Sequence, residues 1–398
     1  PKISDHLLKV FPPEDLGSSV CLAFAALPED HSQQLHSVKL KSICDLVECQ
    51  LFTVPESRKH LLPMFVSMLK IYFNARLERK LCTNILSNIL NVLFREYLQG
   101  LDISFDLEVI VMTVLETFLQ TLLTLDHRSP VSGQLVSCLV TLLRQMQDKH
   151  CRLLLSSLPE RKSLRDLVFR MLTVFRVLVK QDIYPKDWMV MRMVTNNAVL
   201  LATQYLAQCL SSNFLLKQDF DSMNRGSFHR MSELWASYFT IAVSFLTQPC
   251  LQVENFSEAK RGKILERYGD MRVQMGYEIL SMWQNLEEHK VHFVPGMVKH
   301  FLEMTLVPEN ELRKATLPIF IDMMECEQKN RGNFKQVESE LINNLDILIS
   351  ENKGDDEYKQ LFNTMEYLSN ELTNKVQLEP SWHESGMAFI QSVTCLLE

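Results

Sequence analysis

Glycine scarcity is the feature that most restricts how this chain can fold. The chain has 398 residues and 11 glycines, whereas an average usage of about 7% would give roughly 28. Glycine supplies the positive φ angles of tight turns and the close backbone approach that phosphate-binding loops need. Turn-rich β architectures and nucleotide-binding α/β folds are therefore disfavoured. The glycine count predicts a mostly helical protein.

Apolar residues recur at helical spacing along the chain. Leu40, Ile43 and Val47 lie on one face of a predicted helix, and Leu81 and Ile85 begin another such run. We find no sustained alternation of apolar and polar residues, which is the pattern of a half-buried strand. The interruptions between the periodic runs are short. This pattern predicts an all-α fold of about 12–14 helices with short connections.

The length of the chain favours one arrangement of these helices. A single hydrophobic core rarely grows beyond about 250–300 residues, and no Pro/Gly/Ser-rich linker divides the sequence. A solenoid avoids this limit, because each helix pair buries its apolar face only on the next pair. We therefore predict one right-handed, armadillo/HEAT-like α-solenoid over residues 1–398, excised from a longer multidomain protein. Residues 1–34 are expected to be irregular.

Charge and cysteine usage narrow the functional classes. The net charge of −7 and the pI near 5.9 argue against a broad nucleic-acid-binding surface, which would carry a basic excess. The 10 cysteines are irregularly spaced, which indicates reduced thiols of an intracellular protein and not a disulfide framework. The first residues lack the apolar core of a signal peptide. We expect a cytoplasmic protein with no nucleic-acid partner.

One segment, residues 107–125, is apolar and about as long as a membrane span. It contains Glu108, Glu116 and Gln120, and carboxylates are costly in lipid. We interpret the segment as a helix buried by neighbouring helices.

The sequence contains no motif for catalysis or cofactor binding. The phosphate-binding patterns GxGxxG and GxxxxGK[ST] and the nucleophile-elbow pattern GxSxG are all absent. Cys44 and Cys49, with His36 and His60 nearby, come closest to a metal site, but no second ligand pair completes a tetrahedral set. We predict no catalytic, cofactor-binding or metal-binding residues.

Histidines and cysteines elsewhere have simpler structural interpretations. His289, His292 and His300 are interpreted as part of a connection between helices. His150 and Cys151 are neighbours in sequence and point in different directions from a helix, so they are not expected to act as a nucleophile pair.

Two charged groups are interpreted as solvated helix faces. Asp322, Glu325 and Glu327 would form an exposed acidic helix end. The basic residues of another helix lie largely opposite its apolar stripe and could alternatively suit an acidic partner or lipid headgroups. These basic residues are Arg165, Arg170, Arg176 and Lys180.

The segment from Leu251 to Glu327 resembles a known family. Its motifs, in chain order, are LQVENF at 251–256, YGDMR at 268–272, MWQNL at 282–286, HKVHFVP at 289–295 and FLEMTL at 301–306. This string is similar to the region that precedes the catalytic module of DOCK (dedicator of cytokinesis) proteins, in the Rac-activating subfamilies that work with ELMO adaptors. One departure is Lys299-His300, which stands where the family usually has Gly-Pro.

The resemblance implies a role without chemistry of its own. Such proteins carry an N-terminal module for ELMO, a lipid-binding β-sandwich, a helical repeat region and a C-terminal module that expels GDP from small GTPases. This chain resembles the helical repeat region, so no catalytic residue is carried over. Its implied partners are the other modules of its own chain. An ELMO-type adaptor, a Rac-class GTPase, the plasma membrane and a second copy would be reached through the parent protein.

The sequence leaves two alternative functions open. A free-standing adaptor solenoid that binds peptide or protein cargo would be favoured by a ladder of Asn or Trp on successive helices, which we do not see. A helical enzyme would be favoured by one cysteine that reacts rapidly at neutral pH, because reactive thiols have lowered pKa values.

Overall fold

The computed structural model describes residues 6–27, 33–126, 129–158, 160–180, 183–185, 187–216, 219–220, 225–351 and 353–355. Within these ranges the chain forms sixteen α-helices and short 3₁₀ segments, and no strand. The all-α fold class predicted from glycine scarcity and helical periodicity is confirmed. The helix count exceeds the expected 12–14, because short helices such as Gln50–Thr53 leave too few residues for a periodic pattern.

The chain divides into two compact units. Unit 1 comprises Pro1–Val174 and Gln181–Trp188, and unit 2 comprises Phe175–Lys180 and Met189–Glu398. The extension of one solenoid through residues 1–398 stays a prediction.

Unit 1 is built from two rows of stacked helices. Its helices are α1 (Pro13–Ala25), α2 (Gln33–Val47), α3 (Gln50–Thr53), α4 (Pro55–Asn74), α5 (Arg79–Leu98), α6 (Ser104–Thr124), α7 (Pro130–Gln145), α8 (Asp148–Ser156) and most of α9 (Arg161–Lys180). One row runs α1, α4, α6, α8, and the other runs α2, α5, α7. Within each row, a helix packs on the next member of its own row. This is the packing pattern of stacked helix pairs.

Unit 2 shows the same arrangement. Its helices are α10 (Met189–Asn213), α11 (Arg225–Leu246), α12 (Glu258–Tyr268), α13 (Met271–Asn285), α14 (Val298–Thr305), α15 (Asn310–Arg331) and α16 (Lys335–Ser350), with 3₁₀ segments at Pro249–Leu251, Val253–Asn255 and Glu287–His292. One row runs α10, α13, α15, and the other runs α11, α14, α16.

Aromatic side chains fill the centre of unit 2. The ring of Trp283 meets Phe301 edge-on with centroids 5.2 Å apart, and Phe239 meets Trp283 at 6.2 Å. Trp235 and Trp283 are fully buried. Edge-to-face contacts of this kind add to the stabilisation from burying apolar area, and here they join α11, α13 and α14.

Helix α6 contains residues 107–124 of the apolar segment that is about as long as a membrane span. By length and composition, it is the one helix in the described ranges that could cross a bilayer, and 56% of its most apolar window is buried inside the structure. The helix packs against α4, α7 and α8. A buried core helix passes the same length and hydropathy test, and the observed packing agrees with the interpretation from the sequence.

The expectation that residues 1–34 are irregular is wrong over Pro13–Ala25, which form α1. Pro13 stands at the first helical position, where its fixed φ is favourable, and Glu14 and Asp15 complement the helix dipole. Gly17 is the buried residue of this helix, and α1 lies against α4. The helix was missed because its stability comes from this tertiary contact and not from a long apolar stripe of its own.

We predict opposite effects for alanine at two helical glycines of unit 1. A Cβ at Gly17 would lie 2.9 Å from the carbonyl oxygen of Ser57, so Gly17→Ala should separate α1 from α4 and lower the free energy of unfolding by about 1–3 kcal/mol. A Cβ at Gly133 of α7 would meet no atom within 4 Å, so Gly133→Ala should raise stability by about 0.5–1 kcal/mol. Thermal unfolding followed by circular dichroism tests both, and equal midpoints for the two variants would contradict the α1–α4 packing.

Candidate interaction site

The cysteines and histidines that came closest to a metal site each have separate partners. The Cys44 thiol lies 3.7 Å from the Asn88 amide nitrogen, and the Cys49 thiol donates to the Leu46 carbonyl. His36 Nδ1 lies 3.0 Å from the Tyr72 hydroxyl, and His60 lies 3.6 Å from the carboxylate of Glu14. No group of three or more potential metal ligands occurs in the part of the chain that the structure describes.

His289 and His292 lie in the 3₁₀ segment between α13 and α14, whereas His300 lies within α14, so the interpretation as a connection is wrong for His300. His289 and His292 stack on the ring of Phe220, with centroid distances of 4.3 and 5.4 Å. Burial lowers the pKa of His292, and the neighbouring His289 adds to this effect. Burial also lowers the pKa of His300, whose Nε2 lies 3.3 Å from the Thr240 hydroxyl. These contacts give the first two histidines a packing role in the connection.

His150 and Cys151 do not form a nucleophile pair. His150 Nδ1 accepts a hydrogen bond from the backbone N–H of Gln147 at 2.9 Å and closes a capping box at the start of α8. Burial and the nearby Asp148 raise the pKa of Cys151 to about 12. A thiol with so high a pKa is a poor nucleophile at neutral pH.

The interpretation of Asp322, Glu325 and Glu327 as a solvated acidic face is wrong for two of the three. Asp322 Oδ2 accepts hydrogen bonds from Trp283 Nε1 at 2.8 Å and from Lys290 Nζ at 2.7 Å. Glu327 is 3% exposed and accepts from the backbone N–H of Val337 at 2.9 Å. Both carboxylates point to neighbouring elements that the local sequence does not indicate, because helical spacing alone does not show where a second apolar surface will pack.

The basic face of α9 has two carboxylate partners on its N-terminal half. Arg165 contacts Asp166 at 2.6 Å, and Arg170 contacts Glu116 of α6 at 2.7 Å. Arg176 and Lys180 are exposed. A surface for an acidic partner or lipid headgroups therefore has less unopposed positive charge than the sequence suggested.

Buried arginines are the polar groups that the sequence reasoning missed. Arg58, Arg272 and Arg313 are among the largest fully buried side chains of the described residues. Each lies in the first turn of a helix, and each occupies the buried stripe of that helix. In α4, for example, Arg58 precedes Leu61, Leu62 and Phe65 at spacings of three, four and seven. A cation at a core position of a periodic apolar run is the sequence signal that could have found them.

In unit 1, Arg58 holds two carboxylates from two other helices. Its guanidinium lies 2.6 Å from Glu96 Oε1 of α5 and 3.0 Å from Asp106 Oδ2 of α6. It also donates to the backbone carbonyls of Phe52 and Thr53 at 3.3 Å. Burial raises the pKa of Asp106 despite these contacts. We call Arg58, Glu96 and Asp106 the buried triad.

In unit 2, two arginines join helix starts to segments elsewhere in the chain. Arg272 contacts Glu254 at 2.8 Å and Asp270 at 2.7 Å, and these hydrogen bonds raise its pKa although burial alone would lower it. Arg313 donates to the Thr305 carbonyl at 3.0 Å and contacts Asp355 at 3.0 Å. Both arginines therefore tie together elements that are separate in sequence.

A polar pocket of about 600 Å³ lies beside the buried triad in unit 1. Its lining combines three charged residues with three amides and a few apolar side chains. The lining residues are Val47, Glu48, Thr53, Asn88, Asn91, Val92, Arg95, Glu96, Gln99 and Leu101. Half of them come from one face of α5, at the spacings of three and four that bring side chains together. The pocket has the size of a small-ligand or side-chain site.

Glu96 belongs to both the triad and the pocket wall. Its Oε1 is held by Arg58, whereas its Oε2 is buried and accepts no hydrogen bond from the described residues. Most buried polar atoms have a partner, so this oxygen makes the pocket a candidate site within the part of the chain that the structure describes.

The fold and this pocket define a helical scaffold: stacked helix pairs with ion pairs in the interior, a polar surface pocket and, among the described residues, no grouped catalytic side chains. The chain belongs to the DOCK family. Residues 1–365 match the family model described as the dedicator of cytokinesis (DOCK) TPR region, which confirms the resemblance found between Leu251 and Glu327. TPR regions are also stacks of helix pairs.

Two groups of relatives support this membership. Dedicator of cytokinesis protein 3 of Mus musculus is 41% identical over 417 residues, and dedicator of cytokinesis protein 4 of Homo sapiens is 41% identical over 412 residues. Each alignment covers 100% of this chain and 20% of the relative, so the chain spans about a fifth of the length of these relatives. The matched region is the TPR region and not the exchange module. The chain is a non-catalytic part of a DOCK protein.

We predict that the buried triad stabilises unit 1 only as a whole. Arg58→Met leaves Glu96 and Asp106 buried without their cation and should lower the free energy of unfolding by about 3–5 kcal/mol. The loss should shrink as the pH falls from neutrality, because protonated carboxyls no longer need a cation and the pKa of Asp106 is already raised by burial. Urea unfolding at two pH values tests this.

The matched control for this prediction is Arg152→Met. Arg152 pairs with Asp148 at the surface, where its side chain is 76% exposed, and such pairs contribute about 0–1 kcal/mol. A similar loss in both variants would contradict the role of the triad.

We also predict slow alkylation of the buried thiols. Burial raises the pKa of Cys82 and Cys138 to about 12 and that of Cys209 to about 11, against an ordinary cysteine pKa of 9.0. At neutral pH the thiolate fraction of the first two should be roughly a thousandfold below that of an unperturbed cysteine. Peptide-level mass spectrometry after iodoacetamide treatment measures each rate. One of these cysteines reacting at the rate of free cysteine would support the helical-enzyme alternative.

Proposed function

We propose that this chain is the scaffold segment of a DOCK-type guanine nucleotide exchange factor for Rac-class small GTPases. In this proposal it links a lipid-binding module to a C-terminal exchange module and sets the geometry between them. The observation that carries the proposal is the match of residues 1–365 to the DOCK TPR region. The family has members with a length about five times that of this chain, which leaves room for such modules.

The interior of each unit supports a mechanical role. The triad ties α4, α5 and α6 together in unit 1. Arg272 ties the start of α13 to the segment that contains Glu254 in unit 2. Polar contacts of this kind have defined directions, whereas apolar contacts tolerate sliding. Units held in this way keep their shape when force or binding energy is applied to them, as a spacer requires.

The binding partners and the location of the parent protein follow from the same proposal. The ELMO-type adaptor and the Rac-class GTPase would be bound by other modules of the parent protein, and the membrane would be contacted through its lipid-binding module. The parent would be cytoplasmic, would be recruited to the plasma membrane and would form a homodimer. The surfaces of this chain would offer regulatory contacts.

A free-standing adaptor remains the second candidate function. The observation that favours it is the polar pocket of unit 1, which has the amide side chains of Asn88 and Asn91 on its wall. Both belong to α5, so they do not form a ladder across successive helices.

The scaffold proposal predicts that the chain alone does not accelerate nucleotide exchange. GDP release from purified Rac should proceed at the intrinsic rate in the presence of this chain, because the groups that would expel GDP lie in another module. A longer protein that extends through the C-terminal exchange module should accelerate release strongly. Release of fluorescent GDP followed in both samples makes the comparison. Acceleration by this chain alone would overturn the proposal.

Deletion of this segment from the parent protein tests the spacer role in cells. Membrane recruitment and Rac activation are measured together after deletion. The proposal predicts that Rac activation changes, since the exchange module is no longer held at its normal position. Unchanged recruitment together with unchanged activation would contradict it.

A further inference from the structure

The polar pocket of unit 1 contains a charge that its surroundings do not balance. The pocket wall carries Glu48, Arg95 and Glu96, and Arg58 and Asp106 lie directly behind Glu96. With all five groups ionised, three carboxylates face two guanidinium groups, so the region keeps one net negative charge. A buried or half-buried carboxylate without a full counter-charge attracts a cation.

Glu96 is the group at which this imbalance is concentrated. The residue is 6% exposed, and Arg58 occupies one of its two oxygens at 2.6 Å. The other oxygen, Oε2, has no hydrogen-bond partner among the described residues. An ionised carboxylate offers about four acceptor positions on its two oxygens, so Glu96 can keep its contact with Arg58 through Oε1 and accept a donor from the pocket at Oε2.

The rest of the lining suits a planar group with several N–H donors. Asn88, Asn91 and Gln99 bring amide side chains to the wall, and each amide has an acceptor oxygen. Val47, Val92 and Leu101 provide apolar surface for a methylene stem. A guanidinium has five donors in a fixed plane, and it pairs with a carboxylate through two of them. Lysine offers three donors from a single point and matches the spread of acceptors less well.

We propose that this pocket binds an arginine side chain presented by a segment of a partner protein. The guanidinium would pair with Glu96 Oε2, and its stem would lie along Val92 and Leu101. Glu48 at the rim would add attraction, and Arg95 would oppose it. The proposal goes beyond the scaffold role and does not depend on it, because it concerns the side chains of unit 1 alone.

The test is a titration of the full 398-residue chain with N-acetyl-arginine methylamide. Methyl-resolved NMR follows Val47, Val92 and Leu101, which line the pocket. Saturable shifts of these methyl signals are expected. The matched probe is N-acetyl-citrulline methylamide, which has the same shape without the charge. It should bind about tenfold more weakly, because it loses a charge-assisted hydrogen bond.

Variants of the chain test where the arginine probe binds and whether negative charge in the pocket favours its binding. Glu96→Gln should weaken binding of the arginine probe at least fivefold, and Arg95→Glu should strengthen it. Because Glu96→Gln also touches the buried triad, Glu48→Gln, at an exposed rim position, serves as a second variant and should weaken binding about twofold. Glu108→Gln, at an exposed position of α6 outside the pocket, should leave affinity unchanged.

Three outcomes would overturn the proposal. The first is no shift of the pocket methyl signals by the arginine probe. The second is equal binding of the arginine and citrulline probes. The third is a pocket that responds to N-acetyl-aspartate instead and loses that response in Arg95→Glu, which would identify an anion site. None of these outcomes bears on nucleotide exchange, so failure here is distinct from failure of the scaffold proposal.

Discussion

An arginine buried in the first turn of a helix is the interaction around which both helical units are organised. A positive charge at that end opposes the helix dipole, and burial removes the water that would otherwise solvate it. Arg58, Arg272 and Arg313 are stable there because each guanidinium pairs with carboxylates. Arg58 and Arg313 also donate to backbone carbonyls. The buried carboxylates in turn need the arginine as their counter-charge. Each group therefore fixes how one helix start lies against its neighbours.

This requirement has consequences for how the stacks hold together. Replacing a complete buried ion pair with apolar residues is often neutral, whereas removing one partner is strongly destabilising. The arginines therefore contribute more to the choice of one helix arrangement than to net stability. Apolar contacts such as those around Trp283 supply the stabilisation, because dispersion and burial act over large areas without a strict direction. The combination suits a chain whose proposed role is to hold other modules in place.

The candidate site arises from the same interaction. Glu96 stabilises Arg58 through one oxygen and is also one of the residues that line the polar pocket. Neither role is visible in the local sequence, where Glu96 is one of several charged residues near the end of α5. The pocket exists because packing brings Glu96 of α5 beside the segment that contains Glu48 and Thr53. The histidines and cysteines that were candidates by sequence spacing, such as Cys44 and His60, are in contrast kept apart by the packing.

The sequence by itself determined the fold class and the family. Few glycines and helical periodicity leave little besides an all-α chain, and ordered motifs from Leu251 to Glu327 carry the resemblance to DOCK proteins. Tertiary structure decided which polar residues are buried, that Pro13–Ala25 is helical and that Asp322 and Glu327 have partners. The physical reason is the range of the interactions. Periodicity and composition record contacts within one helix, whereas ion pairs such as Arg58–Asp106 join residues that only packing brings together.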